Sequence, residues 1–341
     1  MKTNPHKPRS SILDEPRVLS STLYPLEDFC ARPHRDPPQT GKMTMQKLLR
    51  LIRAGYGQGH LHRYKSWLRV TKHDYSPVSN VGHMQSNIKG RLHHVRALSE
   101  ARSAILLYWL GALDLRDQYP VWPWPHDHLS WGLDGQQRLP KLPGLMEIAR
   151  EASIDHGVYL GTTLPYVATL DLVSTWRKAD GGYYFVAHEC KPRDLVFDAD
   201  PLSRTKERLQ LTRLYLKVAE LRQHLVHIED YPSRFFVNLD ALRPTITKEH
   251  QEKIRISRGY GLLIEHCSRW AYEQPVNAVL TELVRRTAAN LFELQALSHL
   301  ALWHQDLDHD LREPLEPWVP LRPGGRALKA SLLQEWSGAS A

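Results

Sequence analysis

Tyr166-Val-Ala-Thr-Leu-Asp171-Leu-Val-Ser-Thr175, then Asp180-Gly181-Gly182, then Tyr183-Tyr-Phe-Val-Ala-His-Glu189-Cys190-Lys191: the reading of this stretch decides the fold. Both flanks are rich in β-branched and aromatic residues, which suit a pleated, half-buried surface. The Asp-Gly-Gly between them is turn chemistry, so the pair reads as an antiparallel hairpin. In a hairpin centred there, opposed residues have numbers summing to about 360 under simple pairing. Asp171 then lies opposite, or nearly opposite, Glu189. Side chains alternate along a strand, which sends Glu189 and Lys191 the same way. Two carboxylates so close repel unless a cation lies between them. An all-oxygen set suits Mg²⁺, with Mn²⁺ as a substitute, and Lys191 could orient or activate an attacking water. The Asp…Glu-x-Lys pattern therefore points to metal-dependent phosphodiester hydrolysis, although a surface hairpin with a salt bridge would look the same.

Working outward, residues 95–111 carry Val95, Leu98, Ala101, Ile105 and Tyr108 near one helical face, and Gly111 ends the run. Glu100 lies where this helix turns apolar. Facing inward, it would add a third carboxylate ligand; facing out, it would be an ordinary surface acid. A strand is predicted over 113–119, a Pro/Trp loop over 120–131 and a short helix over 143–151. Beyond the hairpin, the pattern predicts a helix over 201–223, a third strand at Phe235–Leu239 and a polar helix over 247–257. Gly259-Tyr260-Gly261 marks a change to Leu-rich, helix-compatible sequence over 262–303. Pro275 is placed to open one helix there, and 314–323 reads as extended.

Towards the N-terminus, a short amphipathic helix is predicted over 43–53, stopped at Gly55. Residues 41–99 hold eleven Lys/Arg, six histidines and one carboxylate, Asp74, with Tyr56, Tyr64, Trp67 and Tyr75 interleaved. Such a stretch can contact phosphates and stack on bases. Lys65, Arg69, Arg91, His93 and His94 are the candidate DNA contacts, the two histidines reading equally as structural hydrogen-bonders. Residues 1–40 hold seven of the 23 prolines and no apolar period, which reads as an arm. The net charge of +8 favours an anionic partner. Cys30, Cys190 and Cys267 form no CxxC, so no zinc ribbon or disulfide framework is indicated. Met1-Lys2-Thr3-Asn4-Pro5 leads into no apolar signal core, and no run of about 18 apolar residues exists, so a cytoplasmic location is expected.

Several segments, in order, resemble the TnsA endonuclease subunit of heteromeric transposases. They are Gly57-Gln-Gly-His60, Trp67-Leu-Arg-Val70, Gly90-Arg-Leu-His-His94, Ser99-Glu100, Leu113-Asp-Leu-Arg-Asp-Gln-Tyr-Pro120, Thr169-Leu-Asp171 and Glu189-Cys-Lys-Pro192. The resemblance covers roughly residues 55–195. It implies an α/β, restriction-endonuclease-like core, a mixed sheet flanked by helices. It assigns Glu100, Asp171, Glu189 and Lys191 to catalysis, and Glu100, Asp171, Glu189 and the Cys190 carbonyl to one or two Mg²⁺ ions. It further implies cleavage at the 5′ ends of a transposon, beside a DDE transposase subunit (TnsB) and an AAA+ regulator (TnsC). Relatives can carry Gln at the position of Glu189, and Gln223–Ser233 looks like an addition. The division read here is an arm at 1–40, a catalytic domain at 41–258 and a helical, partner-binding domain at 259–341, with a winged helix among the forms open to it. Two other readings stay open: a stand-alone restriction or repair nuclease, and a non-catalytic DNA-binding assembly factor.

Overall fold

The computed structural model describes residues 42–71, 81–133, 139–197, 203–287 and 289–338. The proline-rich arm, Asp74, Tyr75 and Cys30 lie outside these residues. α1 is Met45–Arg53, capped by the Thr44 hydroxyl, which accepts the Lys47 N–H. A two-stranded ladder follows, β1 (Gly82–Gln85) with β2 (Leu92–Val95). α2 (Leu98–Leu110) ends at Gly111, whose φ of 100° is the left-handed cap that glycine adopts without strain. β3 (Asp114–Val121), α3 (Leu145–Glu151), β4 (Ala168–Arg177) and β5 (Tyr183–Cys190) come next. α4 (Arg193–Phe197) and α5 (Arg204–Val218) then lead to β6 (Arg222–Val226).

The main sheet has the order β3-β4-β5-β6. Its first three strands are antiparallel, and β6 runs parallel to β5. β4 and β5 pair from Leu172↔His188 to Arg177↔Tyr183, every pair summing to 360, so the hairpin arithmetic holds. The turn closes as the Lys178 N–H donates to the Gly182 carbonyl (2.8 Å), with Gly181 at φ 87°. α5 and α3 cover one face of the sheet through Leu211, Tyr215, Leu216 and Ile148 on Val173, Phe185 and Ala187. α2 packs on the other face with Leu115, Leu172 and Val186.

Two expectations need correction, the strand at Phe235–Leu239 and the helix that runs to 223, which ends at Val218. Phe235–Leu239 is not a strand; it lies in α6 (Ser233–Leu242). Phe235, Phe236, Leu239 and Leu242 are all buried, and spacings of four and seven residues put them on one helical face. The remaining strand is instead β6, and Gln223–Ser233, set apart by the resemblance, supplies most of it. Further on come α7 (Lys248–Arg255), α8 (Arg258–Trp270), α9 (Val276–Arg286, with Pro275 as its cap), α10 (Leu291–His304) and α11 (Gly325–Ser337). Gly259 and Gly261 do not break the chain; they sit in the first turn of α8. Among the described residues of 258–338 there is no strand pair of the kind a wing requires. The apolar core runs on from α2 and the sheet through α6 into α8, α9, α10 and α11.

Candidate active site

The site lies where β4 and β5 part. Asp171 is the residue just before the last β4–β5 pair, and its Oδ2 accepts the Cys190 backbone N–H (2.8 Å). The same oxygen accepts the Lys191 Nζ (2.6 Å), which also stands 3.5 Å from Glu189 Oε2. The structure thus brings Asp171, Glu189 and Lys191 together. Glu100 joins them from the first turn of α2, buried rather than on the helix surface. Its Oε2 accepts the Arg96 backbone N–H (2.8 Å) and the Gln118 side-chain amide (3.1 Å).

Three carboxylates and one ammonium share this buried space. Burial, and then the charge on Asp171, pushes Glu100 up to about 8. Glu189 is pushed up to about 8 by the same two causes in the same order. Burial would pull the Lys191 ammonium down, but Asp171 and Glu189 outweigh it and hold it above its ordinary value.

Each carboxylate keeps one oxygen to which no described residue donates a hydrogen bond. Both donors to Asp171 land on Oδ2, and both donors to Glu100 land on Oε2. Glu189 Oε1 is buried with no hydrogen-bond partner among the described residues. Buried acceptors are normally paired. Hard oxygen donors, mutual repulsion and an orphaned oxygen fit a divalent cation such as Mg²⁺ or Mn²⁺. The ligands are not already gathered: among the described residues no three His, Cys, Asp or Glu side chains stand close enough to hold a metal. The residues therefore fit such an ion chemically, and Lys191 at present balances part of their charge.

Beneath the site, the Leu113–Pro120 segment is held by a buried polar network. The Arg91 guanidinium donates to Asp114 Oδ1 (2.6 Å) and to the Leu61 carbonyl (3.0 Å). Asp117 accepts the Ser66 hydroxyl (2.6 Å) and the His94 backbone N–H (2.8 Å), and pairs with His93 Nδ1 (2.7 Å). Burial would raise Asp117, but His93 and Arg91 hold it well below the carboxylate range. Arg91 and His93, read as candidate DNA contacts, are thus enclosed; to touch a phosphate they would have to leave these partners. Lys65 is exposed, reaching the Ala54 carbonyl (2.8 Å), while Arg69 lies 4.1 Å over the Tyr56 ring. His94 is half-buried and accepts the Val70 N–H (3.0 Å). Sequence reading missed Gln118 and Thr169 as neighbours of the acids, although both lie inside the segments that carry the resemblance.

The chain is 29% identical over 171 residues to the transposon Tn7 transposition protein TnsA of Escherichia coli. The likeness to TnsA is distant and partial. The match takes in 50% of this chain and 52% of that protein, so this TnsA-like chain spans about half the length of the curated relative it matches. No family model matches it. Among the described residues, no helix is long and apolar enough to cross a membrane.

Proposed function

We propose that the chain is the DNA endonuclease subunit of a multi-component transposase, hydrolysing phosphodiesters at the 5′ ends of the element with Mg²⁺. The observation that carries this reading is the placing of Lys191 against both Asp171 and Glu189 at the parted ends of β4 and β5, with Glu100 near enough to feel the charge on Asp171 and the buried Glu189 Oε1 without a partner among the described residues. The likeness to TnsA supports the choice of reaction and a restriction-endonuclease-like core. On this reading residues 41–258 form the catalytic part and 259–341 the part that meets partners, a DDE transposase (TnsB) and an AAA+ regulator (TnsC).

Asp171, Glu189, Glu100 and the Cys190 carbonyl would hold the cation. When bound, it supplies positive charge to a phosphate oxygen and acidifies a water. Lys191, kept charged by its two acid neighbours, offers N–H donors and positive charge to a phosphate oxygen or a water, not a lone pair that takes a proton. The Cys190 N–H fixes Asp171 at the strand end, so the acid is oriented before substrate arrives. Of the five candidate DNA contacts, Lys65 is the exposed one and would track the DNA backbone, with the half-buried Arg69 nearby.

The test is to reconstitute the chain with the DDE transposase of its own element and map which strand is cut. The reading requires Mg²⁺-dependent nicks at the 5′ ends only with both proteins present. Vigorous cutting by the chain alone would favour a stand-alone nuclease. Unchanged transposition in a Glu100/Asp171 double variant would favour a non-catalytic assembly factor.

A further inference from the structure

Gln118 is the one residue of β3 with a left-handed backbone, at φ 49°. It stands between the pairs Asp117↔Leu172 and Tyr119↔Leu170, directly across from Asp171, and at this step the β3–β4 pairing lapses. Regular alternation would send Asp117 and Gln118 to opposite faces. Here Asp117 reaches His93, which contacts Tyr108 of α2, and Gln118 reaches Glu100 of α2. Both consecutive side chains therefore turn to the α2 side. Glycine and asparagine tolerate a positive φ far better than glutamine. A buried glutamine in that conformation points to its side chain as what the position needs.

The side chain is tied at both ends. Its Nε2 donates to Glu100 Oε2 (3.1 Å), its Oε1 accepts the Thr169 hydroxyl (3.4 Å), and its own backbone carbonyl accepts the Trp67 N–H (3.3 Å). The amide carries no charge, so it can anchor one oxygen of Glu100 without competing with a cation for the other. A lysine or arginine there would neutralise the carboxylate and repel the ion.

We propose that Gln118 is a positioning residue for cation binding: its amide, delivered by the left-handed step opposite Asp171, fixes Glu100 with Oε1 presented to the metal. The proposal rests on the nuclease reading of the same site. Groups that orient metal ligands from behind typically contribute about 10–100-fold to affinity.

The experiment is a calorimetric Mn²⁺ titration of the full chain, with a thermal melt of each variant. The parent binds Mn²⁺ and Asp171→Ala abolishes it. Gln118→Met keeps the shape without the donor and should weaken binding about tenfold or more. Gln118→Asn suits the left-handed backbone but falls one methylene short of Glu100. It should melt no lower than the parent and still lose affinity, so the test survives if the Met variant fails to fold. A folded Gln118→Met or Gln118→Asn that binds Mn²⁺ within twofold of the parent overturns the proposal and leaves the nuclease reading intact. If the parent binds no Mn²⁺, or Asp171→Ala binds it equally well, the reading itself falls and the proposal with it.

Discussion

At the scale of single residues, burial first and the charge on Asp171 second raise two of the acids, Glu100 and Glu189. Glu189 is buried, and its folded-state value of about 8 lies above the ordinary 4.5. The unfolded chain releases this proton near 4.5 while the folded chain keeps it until about 8. The folded state therefore holds more protons in that window, and stability is lost as pH rises from about 4.5 through about 8. Glu189→Gln removes this loss. The variant should match the metal-free parent at pH 5 and exceed it at pH 9 by more than about 1 kcal/mol in chemical denaturation. Equal stability at pH 9 would show that Glu189 is not the strained acid described here. Hairpin arithmetic made Asp171 and Glu189 readable from sequence, because a regular ladder fixes which residues oppose. Gln118 was not readable, since its role depends on a local φ that residue type does not announce. The burial of Arg91 and His93 was not readable either, because the partners that enclose them, Asp114 and Asp117, lie more than 20 positions further along the chain.

At the scale of elements, β6 and α6 changed places relative to the sequence reading. Arg222-Gln-His-Leu-Val226 is too polar to look like a strand, yet it adds to β5 at the sheet edge, where one side of its backbone needs no partner. Its cover is α11, an element the sequence did not mark as a separate helix. Trp336 of α11 stacks on His188 of β5 with ring centroids 5.5 Å apart and meets His224 of β6 edge-on at 4.7 Å. Its Nε1 donates to the Tyr231 hydroxyl (3.0 Å), and Arg222 donates to the Glu335 carbonyl (2.8 Å). The last helix thus clasps the sheet two strands from Asp171. Trp336→Ala should cost about 3–5 kcal/mol, read by chemical denaturation. A cost below about 1 kcal/mol would mean that α11 packs only loosely on β6. The helices whose ends carry caps were the readily legible ones: α2 ends at Gly111, and α9 begins at Pro275 as proline placement suggests.

At the scale of the whole molecule, the proposed function asks a net charge of +8 and the exposed Lys65 to meet DNA. Binding through phosphates releases counterions, so affinity for duplex DNA should fall about 10³-fold or more between 50 and 200 mM salt if six or more contacts form. Lys65→Glu should lower affinity alike on every sequence and make the salt dependence shallower by about one unit of slope. Salt-independent binding would remove DNA-backbone contact from the description. The core is continuous from the sheet into the C-terminal helices.

The central claim is that these four side chains cut DNA with a divalent cation. The most direct measurement is the single-turnover rate of strand cleavage on end-labelled transposon-end DNA, in the reconstituted complex, with Mg²⁺ and with chelator. Cleavage should require Mg²⁺ and fall about a hundredfold or more in both Asp171→Ala and Lys191→Ala, with DNA binding retained. Cleavage at the parental rate in either variant, or undiminished cutting in chelator, would contradict it.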